Sequence, residues 1–77
     1  MSAVTHAAER AYLAAHPGDE AGAVTAGWIA SLRVTRATDP HAIPTQDTEV
    51  RAAMATADIA AVESWLNANW NDIEEAA

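Results

Sequence analysis

Large apolar residues recur along this chain at helical spacing, most densely between Ile59 and Ile73. On a helix turning about 100° per residue, Ile59, Val62, Leu66, Trp70 and Ile73 share one narrow stripe, which predicts a helix over 57–71 with that stripe facing a core. Trp65 lies off the stripe by about a third of a turn, on a face with Asp58, Ala61, Ala68 and Asp72. Nearer the N-terminus, Val4, Ala8, Ala11 and Ala15 form a thinner stripe, widened by Ala7, Tyr12 and Ala14, that predicts a first helix over 3–16. The run His16-Pro17-Gly18 ends it, because the residue before a proline is driven out of the α region and glycine readily takes a left-handed turn. His16 is placed to meet the free carbonyls of that helix end.

Asp19 makes a good N-cap for a second helix over 20–35, with Ala21, Val24, Trp28, Leu32 and, at the edge, Ile29 expected inward. Small residues recur every four positions on its neighbouring faces: Gly22, Ala26 and Ala30, and also Ala23 and Gly27. A glycine inside a helix costs about 1 kcal/mol relative to alanine, so these positions point to close packing, with room for a bulky neighbour such as Trp28 or Trp70. The helical pattern then stops over 37–45, a linker in which Pro40 and Pro44 bracket Ile43, the residue expected to tack it down.

Thr45 is the expected cap of a third helix over 46–55, with Asp47 in its first turn, an Asp47 and Arg51 pair one turn apart, and Val50, Ala53 and Met54 inward. Thr56 would cap the fourth helix, which separates the last two. At the C-terminal end Asn67, Asn69 and Asn71 lower helix propensity, and Asp72, Glu74 and Glu75 oppose the helix dipole, so the last helix is expected to stop near 71. No stretch alternates at strand period. The expected fold is an all-α, small bundle of three or four short helices forming a single domain over 1–77.

Composition sharpens this picture in one respect: the chain has 77 residues and no phenylalanine, and much of its hydrophobic content is alanine. A core of that size supplies only a few kcal/mol. A homo-oligomer, or a complex with a larger partner, would bury the further apolar surface. Charge adds more, since 11 acids face four basic residues, all arginine (Arg10, Arg33, Arg36 and Arg51), for a net charge of -7. Clustered basic side chains, which nucleic acids require, are missing, so direct DNA or RNA binding is not expected. A basic protein surface would be favoured instead.

Candidate chemistry is sparse. With no cysteine there is no thiolate ligand or nucleophile. His6, Glu9 and Arg10 share a helical turn, but zinc sites need three or four ligands at defined spacing, so no metal is expected. Ser2, Ser31 and Ser64 lack a glycine-flanked elbow, and no catalytic residue is assigned. Size, acidity and helix number are also those of acyl carrier proteins. The serine that carries their arm follows an aspartate at the start of the second helix, whereas Ala30-Ser31-Leu32 has no aspartate and falls inside a helix, so no cofactor is expected. A helix-turn-helix over 49–66 would present Asp58 and Glu63 to phosphates and no basic residue. The N-terminal stretch has no continuous apolar run, so neither a signal peptide nor a membrane span is expected, and a cytoplasmic protein is the default.

What remains is binding. Tryptophan is enriched at interface hot spots, and Trp65, off the main stripe and near acids, is the candidate anchor, with Asp58, Glu63, Asp72, Glu74 and Glu75 as its charged surround; the alternative is that the last helix packs on two sides and Trp65 is simply more core. The expected function is a small acidic protein-protein interaction module that occupies a basic, nucleic-acid-binding surface of a partner, as inhibitors encoded by phages and mobile elements and some antitoxins do. The alternative is an assembly subunit of a homo-oligomer or larger particle.

Overall fold

A computed structural model describes residues 3–77. Four helices follow one another, α1 over Ala3–Ala15, α2 over Glu20–Thr38, α3 over Thr48–Thr56 and α4 over Ile59–Ala76, and no strand occurs among the described residues. The fold is a small all-α bundle. α2 is its centre, packed against α1, α3 and α4, while α4 also packs on α1.

Three of the four helices start on an aspartate: Asp19 accepts from the Gly22 N–H at 2.9 Å, Asp47 from Val50 N–H at 2.9 Å and Asp58 from Ala61 N–H at 3.1 Å. The last two correct the sequence expectation, which had Thr45 and Thr56 as caps two residues earlier. Aspartate caps at least as well as threonine and also places a full negative charge at the positive end of the dipole. Asp47 is therefore used in capping, ahead of the first turn.

α2 continues three residues past the expected end at 35 and stops at Thr38. Asp39, just before Pro40, is extended, as a residue preceding proline prefers. α4 runs on to Ala76, beyond the expected 71, because Ile73 is almost fully buried, at 1% exposure. Burying it contributes about 1.5–3 kcal/mol, which offsets the roughly 0.6–2 kcal/mol by which Glu74 and Glu75 of the last turn together oppose the dipole.

The core joins Val62, Leu66 and Ile73 of α4 to Val4, Ala7, Ala8 and Tyr12 of α1 and to Ala23, Ala26, Ile29 and Ala30 of α2. Ile59 and Trp70 pack against it from the flanks, so the α4 stripe lies as its periodicity predicts. α2 follows its predicted stripe only in part, with Ile29 buried and Trp28 packed half-buried against the core. Its buried face is the small one, and Ala21, Val24, Trp28 and Leu32 are only half-buried. A helix with neighbours on three sides can be approached closely only where its side chains are small. A Cβ on Gly22 would lie 2.5 Å from Tyr12 Cε1, and one on Gly27 would lie 2.7 Å from Glu9 Cγ, so the bulky neighbours come from α1 and are neither Trp28 nor Trp70. Thr25, fully buried on this face, satisfies its hydroxyl by donating to Ala21 O at 2.8 Å.

The linker is held by backbone and arginine, since Arg36 Nε donates to Ala42 O at 3.0 Å. Ile43 does not tack it down: it is 70% exposed. Between α2 and α4, the Arg33 guanidinium sits 4.9 Å from the centre of the Trp70 ring and also donates to Asn67 Oδ1.

Candidate binding surfaces

The C-terminal end of α1 and the middle of α4 meet in an aromatic cluster. His16 ends α1 with its Nδ1 3.3 Å from Tyr12 O, and Gly18 turns the chain with φ 88°. That turn brings Asp19 back to Tyr12, whose hydroxyl donates to Asp19 Oδ2 at 2.8 Å. Tyr12 stacks on His16 with ring centres 4.3 Å apart, and Trp65 meets the Tyr12 ring edge-on at 5.0 Å. Burial, then the hydrogen bond to Asp19 and the charges of Asp19 and Asp58, push the Tyr12 phenol up to about 12. Asp19 is held below the usual carboxylate range, first by the Gly22 N–H and then by the Tyr12 hydroxyl, with His16 adding to the effect.

Trp65 is thus half-buried against the core and fixes α4 on α1. Asp58, Glu63, Asp72, Glu74 and Glu75 are all exposed. With 3.6 residues per turn, Asp58 and Asp72, each seven positions from Trp65, share its face. Glu63 and Glu74 lie about half a turn away, past the core stripe, and Glu75 about a quarter turn to the other side. Asp58 and Asp72 therefore lie on the Trp65 side of α4, each about 10 Å along the helix axis from it, and the other three acids are dispersed around the helix.

A second acidic surface is built from tertiary proximity alone. A cavity of about 270 Å³ opens between α1, α2, the end of the linker and α3, with Glu9, Trp28, Thr45, Asp47, Glu49 and Val50 in its walls. Beside it a shallower groove of about 300 Å³ shares Glu9 and Glu49 and adds Arg10, Leu13 and Glu20. Four carboxylates therefore line a region with one arginine. Burial raises the Glu9 carboxyl above its ordinary range; His6 opposes this and Glu49 adds to it. Trp28 Nε1–H is buried with no acceptor among the described residues. None of this was visible in the sequence, where Trp28 reads as a core residue and Glu9 and Glu49 stand far apart. The one local sign was the His6 and Glu9 turn.

Among the described residues no group of three or more His, Asp or Glu could hold a metal ion, and no helix is long and apolar enough to cross a membrane. Ser31 lies inside α2 and Ser64 is exposed on α4, while Ser2 lies outside the described residues. No protein-family model, curated protein or solved structure matches this chain.

Proposed function

We propose that this protein is a small acidic binding module that occupies a basic surface of a partner protein, of the kind that otherwise binds nucleic acid, as phage- and mobile-element-encoded inhibitors and antitoxins do. The observation that supports this is the unequal use of charge. Arg33 is committed to Trp70 and Asn67, and Arg36 to the linker carbonyl of Ala42. Half of the four positive charges are thereby tied into the fold, while acids on α4 and around the Glu9 groove face outward. The resulting field attracts a basic surface and raises its encounter rate. Trp65, flanked by Asp58 and Asp72, is the proposed apolar contact, and Glu63, Glu74 and Glu75 contribute long-range attraction. The module has no chemistry of its own, and a cytoplasmic location goes with it.

The test is capture of the partner from the native host, followed by binding measurements with Asp58→Asn and Asp72→Asn combined. Asparagine caps a helix about as well as aspartate, so this variant removes charge while keeping the start of α4. It should slow association and leave the melting temperature unchanged. Unaltered association with a captured basic partner would remove this face from the interface. One observation favours the assembly alternative: Ile43 is 70% and Val34 45% exposed, apolar area that self-association would cover. Ile43→Ser should then lower a concentration-dependent mass in light scattering, whereas a monomer at all concentrations would rule it out.

A further inference from the structure

We infer that the cavity beside Trp28 receives the side chain of an arginine from the partner, which rests on the proposal above that the partner surface is basic. At about 270 Å³ the cavity falls below the roughly 300–1,000 Å³ of small-molecule and cofactor sites, a size suited to one long side chain. Its chemistry specifies which one. An indole forms part of the wall, and aromatic faces attract cations, guanidinium more often than ammonium. Glu9, Asp47 and Glu49 bring three carboxylates to the same space, and the hydroxyls of Ser31 and Thr45 add acceptors.

Glu9 is half-buried, and its carboxyl receives no hydrogen bond from the described residues that would offset the lost water. A guanidinium offers five N–H donors in a rigid fork, is weakly hydrated, and stacks on aromatic rings, so it compensates a desolvated carboxylate better than a compact ammonium. The fold already places one guanidinium over an indole, where Arg33 lies over Trp70 and donates to the side-chain Oδ1 of Asn67. No arginine of the chain itself lines this cavity, and Arg10 lines the neighbouring groove.

The experiment uses the full chain labelled with nitrogen-15, titrated with N-acetyl-arginine amide, N-acetyl-lysine amide and N-acetyl-norleucine amide while the three indole N–H resonances are followed. The arginine amide should shift the Trp28 indole and the Glu9 and Glu49 amides saturably, leaving Trp65 and Trp70 in place. The lysine amide should bind at least about threefold more weakly, and the norleucine amide should give no saturable shift. Replacing Glu9 and Glu49 together by glutamine should weaken arginine binding about fivefold or more, equivalent to about 1 kcal/mol. A motionless Trp28 resonance, equal shifts with norleucine, or unchanged affinity in the double variant would each overturn the assignment. An oligoarginine peptide separates this failure from that of the wider proposal. If it binds with steep salt dependence while Trp28 stays still, the cavity assignment falls and the acidic module stands; if it does not bind at all, both fall.

Discussion

Gly22→Ala tests the join between α1 and α2 on which both surfaces depend. On an open helix the exchange would gain up to about 1 kcal/mol from propensity. Here the new methyl would sit 2.5 Å from Tyr12 Cε1 and 2.6 Å from its hydroxyl oxygen. Carbon atoms in good contact stand about 3.5–4.0 Å apart, so Tyr12 would have to move by about 1 Å. It has little freedom to do so, being 5% exposed, stacked on His16, met edge-on by Trp65 and hydrogen-bonded to Asp19. Overpacking costs about 1–3 kcal/mol, and the displaced Tyr12 hydroxyl would also give up its bond to Asp19. Net destabilisation of about 1–3 kcal/mol follows, which in a chain of this size lowers Tm by roughly 5–20 °C. Gly27→Ala is the control: its methyl meets the flexible Glu9 side chain, which can swing aside, so the change should stay within about 1 kcal/mol. Thermal melts followed by far-ultraviolet circular dichroism check both. A Gly22→Ala protein that melts at or above the parent temperature would refute the described contact between Tyr12 and α2.

Leu66, with no exposed surface, should cost about 2–5 kcal/mol when changed to alanine, read as a fall in urea midpoint. Trp28→Phe should behave differently, staying within about 1 kcal/mol of the parent, because the smaller ring loses contact area but also removes a buried N–H that has no acceptor among the described residues. The Tyr12 and Asp19 pair should shape stability at both ends of the pH scale. The raised phenol protects the folded state below its ordinary value near 10 and loses that contribution, at most about 3 kcal/mol, as pH rises through about 12; Tyr12→Phe should abolish this alkaline loss. The lowered Asp19 carboxyl contributes above the ordinary carboxylate range and loses its share as pH falls through its folded value, so Asp19→Asn should flatten the acid limb of denaturant midpoint against pH.

Helical periodicity made the four helices legible, and for α4 it also marked the correct face, because Val62, Leu66 and Ile73 are large enough to dominate any packing. For α2 the same reasoning placed Ile29 and Trp28 against the core but missed that the small residues form its most buried face. There the deciding quantity was the distance of approach of α1, set where Gly22 meets Tyr12, and not the apolar area of Trp28 and Leu32. The caps went astray for a local reason, as a threonine and an aspartate lay two residues apart at each start and the stronger dipole partner was taken. Trp65 stood out by its position off the stripe, yet its contact with Tyr12 depends on where the Pro17-Gly18 turn returns the chain, which spacing cannot supply. Glu9 and Glu49 are forty residues apart in sequence, and only the packing of α1 and α3 against α2 brings them to one cavity.

The most direct measurement of the proposed function is the association rate with the captured partner as a function of ionic strength. If an acidic surface recognises a basic one, the rate should fall steeply as added salt shortens the screening length from about 10 Å at 0.1 M to about 3 Å at 1 M, and neutralising Asp72, Glu74 and Glu75 should flatten that slope. A rate that stays level across this range, identical in parent and neutralised protein, would contradict it and leave the acids as a means of solubility alone.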